Sequence, residues 1–232
     1  YHGDTFAAMS VCDPEGGMHR LFNAMLPKQL VLALPQDEES AHEYERSVAA
    51  HAHELTAVIV EPLVQAAGGM KFHSPKTLER VAAVARGHDL LLIFDEIAVG
   101  FGRLGTLFAC EQAGIVPDII TLSKALTGGT MPLAATVAST RVYEAYLSDD
   151  ADKALMHGPT YAGHALACAA ANASLDLFAT EPRLTQVAAI AAQLERELEA
   201  CRGLPGVRDV PVKGAIGVVQ LKREPKVQLL RS

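Results

Sequence analysis

The sequence of 232 residues lacks an apolar run as long as a membrane-spanning helix requires, which is about 18 residues. It also lacks an opening segment in which basic residues precede an apolar stretch and a cleavage site, as exported proteins have. There is no internal repeat and no low-complexity tract, which argues against a repeat architecture. We therefore expect a soluble protein that is not exported and has no membrane partner.

Cysteines and basic clusters are also scarce. The four cysteines, Cys12, Cys110, Cys168 and Cys201, lie far apart and form no Cys-x-x-Cys pair, so reduced, packed thiols fit better than a zinc site or a disulfide scaffold. This favours a cytoplasmic location and no metal. The net charge of −7 includes no basic block and no alternation of basic with aromatic residues. That argues against nucleic acid as a partner and leaves small diffusing substrates.

Apolar residues, in contrast, make up 50% of the sequence, and the length suits one large domain with or without an appendage. We predict a large domain over residues 1–180, followed by a linking helix and the start of a small domain over residues 181–232. The chain begins at Tyr1 rather than at methionine, within what looks like a working motif. We therefore expect it to be a fragment of a longer protein.

Three short, unbroken segments predict the buried strands of a parallel sheet. They are Ala57–Val60, Leu90–Phe94 and Asp118–Leu122. A helix that starts at Ser74-Pro75 connects the first two strands. Right-handed crossovers bring the carboxyl ends of parallel strands to one edge, where open α/β sheets bind ligands. Asp95 and Lys124, which follow the second and third strands, should therefore meet at that edge.

Four other segments also have predicted structures. Asp37–Leu55 has the charges and small residues of an exposed helix. Only about ten residues of glycine and proline turn precede the apolar segment Ala134–Ser139, too few for a crossover helix, so this strand should run antiparallel to its neighbour. The alanine-rich segment Gly163–Phe178 predicts a closely packed helix. Ala215–Val219 predicts a strand of the second domain.

An apolar strand that ends in Asp95-Glu96 is compatible with two chemistries. In nucleotide hydrolysis the carboxylate would hold Mg²⁺, but the phosphate loop G-x-x-x-x-G-K-[ST] is absent, because Lys124 precedes its glycines. In pyridoxal phosphate chemistry, a lysine forms a Schiff base with the cofactor aldehyde and an acidic residue pairs with the pyridinium nitrogen. Asp95 and Lys124 supply both groups. Lys124 could also carry a proton, a role that suits a partly buried amine.

Four motifs, in their order and spacing, resemble class III aminotransferases. They are Tyr1-His2-Gly3-Asp4-Thr5, Glu61-Pro62-Leu63-Val64-Gln65, Phe94-Asp95-Glu96-Ile97 and Leu122-Ser123-Lys124-Ala125-Leu126-Thr127-Gly128-Gly129. The resemblance extends to about Arg223 and implies fold type I. In that α/β fold, a central, mostly parallel sheet with flanking helices forms the large cofactor-binding domain, and a small α/β domain follows it. The tail Glu224–Ser232 no longer resembles the family.

The resemblance also implies roles for individual residues around pyridoxal 5'-phosphate. Lys124 would form the Schiff base, act as the catalytic amine and contact the substrate. Asp95 would pair with the pyridine nitrogen. Tyr1 would line the substrate pocket, and Arg103 would flank it.

A loop before the alanine-rich helix carries the remaining implied contacts. Gly158 would touch the substrate through its backbone, whereas Pro159 and Thr160 would bind the phosphate of the cofactor in a neighbouring subunit. The resemblance therefore implies a homodimer with shared active sites. The family's glycine-serine phosphate loop would precede Tyr1, and its carboxylate-binding arginine would lie outside this sequence.

Two segments resemble those members of the class that act in biotin biosynthesis: His157-Gly158-Pro159-Thr160-Tyr161 and the pair Met18-His19. These enzymes transfer an amino group from S-adenosylmethionine to 8-amino-7-oxononanoate. An aminotransferase of the same class that acts on an ω-amino acid or a diamine is the alternative enzyme, and an inactive fragment is the alternative without catalysis. The sequence departs from the family pattern at Val99 and His164, neither of which is a proposed catalytic group.

Overall fold

The structure, a computed structural model, describes residues 1–15 and 17–222. The α-helices are α1 (Phe6–Ser10), α2 (Glu38–His51), α3 (Pro75–Gly87), α4 (Thr140–Glu144), α5 (Ala165–Thr180) and α6 (Arg183–Leu198). The strands are β1 (Ala57–Val60), β2 (Val64–Gln65), β3 (Lys71–Phe72), β4 (Leu91–Asp95), β5 (Ile119–Leu122), β6 (Ala135–Ala138), β7 (Val207–Asp209), β8 (Val212–Lys213), β9 (Ile216–Gly217) and β10 (Gln220–Leu221). Short 3₁₀ helices cover Arg20–Phe22, Ala109–Ala113, Lys124–Thr127, Ala151–Lys153 and Glu199–Cys201. The tail Glu224–Ser232 lies outside the described residues.

A four-stranded sheet with the order β1-β4-β5-β6 forms the centre of the fold. β1, β4 and β5 are parallel, which confirms the predicted, mostly parallel α/β sheet. β6 is antiparallel to β5, also as predicted, because the link between them holds a 3₁₀ turn in place of a crossover helix. The register pairs Asp95 with Thr121. The carboxyl ends of β4 and β5 are therefore level with each other.

Helix α3 is the predicted crossover between β1 and β4. The hydroxyl of Ser74 accepts a hydrogen bond from the backbone N–H of Thr77 at 3.1 Å, and Pro75 occupies the first turn. The buried face of α3 packs with the fully buried Leu92 and Phe94 of β4 in the main core cluster. Burial of this face fixes the helix on the sheet. The helix ends at Gly87.

Helix α5 is less closely packed than its composition predicted. Its buried residues are Ala167 and Ala171, whereas Leu166 is 69% exposed. The inner face lies against the 3₁₀ turn that starts at Lys124, whereas most of the other residues are partly or fully exposed, which composition alone could not show. His164 caps the helix, and its Nδ1 accepts a hydrogen bond from the N–H of Ala167 at 3.2 Å. None of the helices in the described part of the chain is both long and apolar enough to cross a membrane.

The predicted strand Ala215–Val219 is confirmed only at Ile216–Gly217, which form the short strand β9. The chain turns at Gly214, whose φ is +56°, and pairs β8 with β9 in a hairpin, while β10 pairs with β7. The turn is needed because Gly214 contacts the backbone of Arg103 and Leu104 of the large sheet region, and the N–H of Ala215 donates to the Arg103 carbonyl oxygen at 2.9 Å. These contacts involve residues that are far away in the sequence, so the local apolar segment could not show where the strand would be interrupted.

Candidate functional site

Asp95 ends strand β4 as a buried carboxylate with three partners. Its Oδ2 lies 2.7 Å from Nδ1 of His2. Its Oδ1 accepts hydrogen bonds from the backbone N–H of Ile97 at 3.1 Å and from the hydroxyl of Thr121 at 3.3 Å. Burying a carboxylate is costly unless its oxygens are hydrogen-bonded. The side chain is therefore held in one orientation at the carboxyl edge of the sheet.

Two of these partners, His2 and Thr121, were missed by the sequence analysis. Thr121 could have been found, because the predicted parallel strands align their ends and place it beside Asp95. His2 stands in the first motif, but it is 93 residues away from Asp95 along the chain. No periodicity relates residues at such a distance. Only the folded N-terminal segment brings the imidazole to the carboxylate.

Lys124 stands at the predicted edge, in the turn that follows β5. Its φ is +38°, a left-handed conformation that costs a non-glycine residue roughly 1–2 kcal/mol. The turn is held from both sides: the Ser123 hydroxyl donates to the Leu133 carbonyl oxygen at 2.7 Å, and the Ser174 hydroxyl donates to the Ala125 carbonyl oxygen at 3.3 Å. A strained residue that its surroundings hold in place is a common feature of functional sites.

The lysine is exposed, whereas its proposed role as a proton carrier called for partial burial. The turn containing Lys124 lies at the open end of β5, and the residues from Gly128 to Thr130 that follow it are also exposed. Within the described residues the amine has no hydrogen-bond or ion-pair partner. It is therefore available to a ligand that approaches the sheet edge.

Tyr1 is fixed beside the His2–Asp95 pair by neighbouring polar groups. Its ring stacks on the imidazole of His19 with a centroid distance of 5.6 Å. The hydrogen bond to Asp4 raises the pKa of the Tyr1 hydroxyl, and Nε2 of His19 lies 2.9 Å from Oδ1 of Asp4. This arrangement fixes the orientation of the tyrosine ring, which precedes His2, the partner of Asp95.

The other predicted site residues form no hydrogen bond or ion pair with Tyr1, Asp95 or Lys124 within the described residues. Gly158, Pro159 and Thr160 lie in an exposed loop. The side chain of Arg103 is exposed as well, and its backbone carbonyl accepts the N–H of Ala215. The structure thus places Asp95 and Lys124 at one sheet edge, with Tyr1 next to His2, the partner of Asp95. It shows no hydrogen bond or ion pair from Arg103 or the loop 158–160 to these residues in the described part of the chain.

A cavity of about 230 Å³ reaches the site from one side. Tyr1, His2, Glu61 and Lys71 are among the residues that line it, but Asp95 and Lys124 are not. The cavity follows the outer side of β1, away from the end of β5. It is therefore a neighbour of the Asp95–Lys124 edge and not the space between these two residues.

The carboxylate and the amine at this edge fit pyridoxal phosphate. A carboxylate has about four acceptor positions, of which Asp95 uses three for His2, Ile97 and Thr121. One position remains for a pyridinium N–H. Lys124 supplies an unpartnered primary amine after the adjacent strand. Among residues 1–15 and 17–222, no group of three or more histidine, cysteine, aspartate or glutamate side chains is arranged to hold a metal ion.

Comparison with known proteins gives a consistent result. The family model for class-III aminotransferases matches residues 1–231. The adenosylmethionine-8-amino-7-oxononanoate aminotransferase of Mycobacterium leprae is 50% identical over 226 residues, which are 96% of this chain and 52% of that protein. The protein of the same name from Corynebacterium glutamicum is 46% identical over 98% of this chain and 55% of its own length. The chain therefore spans about half the length of the curated relatives it matches.

Two solved structures illustrate the similarity of the fold. The adenosylmethionine-8-amino-7-oxononanoate aminotransferase of Methanocaldococcus jannaschii superposes with a TM-score of 0.90 at 35% identity, covering 95% of this chain and 51% of that one. An (S)-enantioselective omega-transaminase from Thermomicrobium roseum superposes with a TM-score of 0.83 at 33% identity, covering 97% of this chain and 52% of that one. The architecture is thus common to enzymes with different substrates.

Proposed function

Because this chain belongs to the class III aminotransferases, we propose that it is the cofactor-holding part of an enzyme that transfers an amino group from S-adenosylmethionine to 8-amino-7-oxononanoate. The product would be 7,8-diaminononanoate, a precursor of biotin. One observation carries the proposal: the buried Asp95 and the exposed Lys124 follow adjacent parallel strands at the same sheet edge. The activity belongs to the protein that contains this chain, since the chain spans only about half of its relatives.

Two residues would hold pyridoxal phosphate. Nζ of Lys124 would bind its aldehyde carbon, and the remaining acceptor position of Asp95 would take the N–H of its pyridine ring. When bound, the cofactor supplies a sink for the electrons of the bond broken at the substrate Cα. His2 and Thr121 hold the carboxylate of Asp95 in one orientation, so it would meet a ring nitrogen at this edge without reorientation.

Lys124 would also move a proton. Once the substrate has displaced it, the amine at Nζ can accept the proton from the substrate Cα and hold it for return. The turn between Ser123 and Gly128 fixes where that amine stands. Because the side chain is exposed in this chain, water must be excluded by groups outside the described residues. Tyr1, stacked on His19, would cover the site from the other side.

We further propose that a second copy of the protein completes the site. Apolar side chains around the loop 157–160 are largely exposed, with Met156 at 83%, Tyr161 at 78% and Leu155 at 62%. Such a patch is a typical protein–protein interface. Pro159 and Thr160 of each copy would then bind the phosphate of the cofactor in the other.

The four cysteines are all free, which supports a cytoplasmic location.

The attachment of the cofactor can be tested directly. The protein expressed from its complete gene is incubated with pyridoxal phosphate, reduced with borohydride and digested for mass spectrometry. We expect the cofactor on Lys124, no adduct in Lys124→Ala, and a normal adduct in the control Lys76→Ala, which removes an exposed lysine of helix α3 that has no role in the proposed site. An unmodified Lys124 would mean that the protein is not a pyridoxal phosphate enzyme.

The choice of substrate needs a separate experiment. The Thermomicrobium roseum structure favours a second candidate, an aminotransferase for simple amines or ω-amino acids. The purified protein is therefore assayed with S-adenosylmethionine, an ω-amino acid and a diamine as donors. We expect turnover with S-adenosylmethionine, and turnover only with the other donors would support the second candidate. Parallel assays of the 232-residue chain alone show whether it is an inactive fragment.

Shared active sites predict complementation between inactive variants. Lys124→Ala and Thr160→Ala would each inactivate the protein when expressed alone. In a mixed dimer, one site would combine the intact Lys124 of one copy with the intact Thr160 of the other. Activity should therefore return when the two variants are expressed together. If both variants stay inactive in a proven mixed dimer, the sites are not shared in this way.

A further inference from the structure

Glu96 has a fully buried side chain that the proposed chemistry does not use. It follows Asp95 directly, after the end of β4. Its Oε2 accepts the backbone N–H of Ala109 at 2.7 Å, and its Oε1 accepts the backbone N–H of Cys110 at 2.8 Å. The carboxylate thus binds the first turn of the 3₁₀ helix Ala109–Ala113.

The backbone of Glu96 makes two more connections. Its N–H donates to the carbonyl oxygen of Thr121 at 3.0 Å, and its carbonyl oxygen accepts the N–H of Gly100 at 2.8 Å. A Cβ on Gly100 would lie 2.9 Å from that oxygen, so the turn is tightly closed. Glu96 therefore joins strand β5, the turn 97–100 and the 3₁₀ helix.

This turn contains one of the groups that orient Asp95. The N–H of Ile97 donates to Oδ1 of Asp95, and Ile97 lies between Glu96 and Gly100. If the carboxylate of Glu96 released the 3₁₀ helix, the segment from Ile97 to Gly100 would lose its support. The direction of the Asp95 carboxylate would then be fixed less well.

We propose that Glu96 is a positioning residue for Asp95 and that it thereby sets the affinity of the protein for pyridoxal phosphate. This inference rests on the proposed function. Glu96 touches neither substrate nor cofactor. It acts through the turn 97–100, and its own burial is stable because both carboxylate oxygens are hydrogen-bonded.

The same 3₁₀ helix provides a matched control. Oε1 of Glu111 accepts the N–H of Phe108 at 2.9 Å, and this exposed residue forms no hydrogen bond with residues 95–100 in the described part of the chain. Glu111→Gln and Glu96→Gln each convert a carboxylate that caps this helix to an amide. In Glu96→Gln, however, the NH₂ group faces one of the two buried N–H donors, which loses its acceptor.

The experiment uses the protein from its complete gene and measures cofactor binding by absorbance titration. For Glu96→Gln we expect affinity for pyridoxal phosphate to fall roughly tenfold, at the low end of the losses typical for residues that orient a ligand group. The pH dependence of the absorbance of the bound cofactor should also differ from that of the wild type. The reason is that a less well oriented Asp95 would pair less well with the N–H of the pyridine ring. Glu111→Gln should match the wild type in both measurements. If Glu96→Gln does not fold, Glu96→Asp, which keeps the charge, carries the test with a smaller expected loss.

The outcomes separate this inference from the proposed function. If the wild type takes up the cofactor on Lys124 and the Glu96 variants bind it as Glu111→Gln does, Glu96 has no positioning role. If the wild type takes up no cofactor, the proposed function is wrong and this inference falls with it. Hydrogen exchange in the cofactor-free protein adds an independent measurement: peptides over 97–110 should lose protection in Glu96→Gln and keep it in Glu111→Gln.

Discussion

Nδ1 of His2 lies 2.7 Å from Oδ2 of Asp95, and both side chains are largely buried. This contact joins the N-terminal segment to the end of strand β4. It occupies one side of the carboxylate and leaves the other oxygen to Ile97 and Thr121. The imidazole therefore limits rotation of the carboxylate that would face the cofactor ring.

The first prediction concerns His2. Replacement by phenylalanine keeps a ring but removes Nδ1, and losing a hydrogen bond to a charged group costs roughly 1.5–3 kcal/mol. We expect His2→Phe to weaken pyridoxal phosphate binding about tenfold or more, as measured by absorbance titration. His2→Asn is the control, because its amide N–H can occupy nearly the position of Nδ1 and should restore most of the affinity. Equal binding by both variants would contradict this role of the hydrogen bond.

A second prediction separates function from stability at Lys124. Glycine adopts a φ of +38° without strain, so Lys124→Gly should raise the free energy of unfolding by roughly 1 kcal/mol while abolishing cofactor attachment. Lys124→Ala loses the same amine but keeps the strain. Denaturant unfolding of the two cofactor-free variants should thus place glycine above alanine. The reverse order would show that the left-handed conformation stores no strain.

A third prediction tests the contact between the hairpin β8–β9 and the backbone of Arg103 and Leu104. A Cβ on Gly214 would lie 2.5 Å from the carbonyl oxygen of Arg103 and the Cα of Leu104, and the residue has a positive φ. Gly214→Ala should therefore lower the free energy of unfolding by about 1–3 kcal/mol. In the control Gly203→Ala, the new Cβ has no atom within 4 Å. Thermal unfolding of both variants measures the difference, and similar melting temperatures would argue against the tight approach.

A fourth prediction concerns the pH dependence of stability. Burial lowers the pKa of His73 from its ordinary 6.5, although Nε2 donates to the Glu61 carbonyl oxygen at 3.0 Å. Between the folded pKa and 6.5 the unfolded chain binds more protons than the folded chain, so stability should increase as the pH rises through this window. The contribution is complete above 6.5 and is lost as the pH falls.

The measurement compares the free energy of unfolding on either side of this window. His73→Gln keeps a donor for the Glu61 carbonyl but cannot titrate, so its pH slope should be smaller than that of the wild type. His53→Gln, which removes an exposed histidine that follows the end of α2, serves as the control. A wild-type slope in His73→Gln would assign the pH dependence to another group.

Much of the fold could be predicted because its signals are local. The unbroken apolar segments at Ala57 and Leu90 indicate buried parallel strands, and Ser74-Pro75 marks the start of the crossover helix. The short link before Ala135 requires an antiparallel strand. The division into domains at residue 180, and the roles of Arg103 and the loop 158–160, remain predictions.

The sequence by itself determined that Asp95 and Lys124 share a sheet edge, because the lengths of strands and crossovers limit where the ends of parallel strands can lie. Only the tertiary structure decided what surrounds them. The contact of His2 with Asp95, the exposure of Lys124 and the turn at Gly214 all depend on segments that are distant in sequence. Such contacts follow from the packing of the whole chain, so a local pattern of residues cannot predict them.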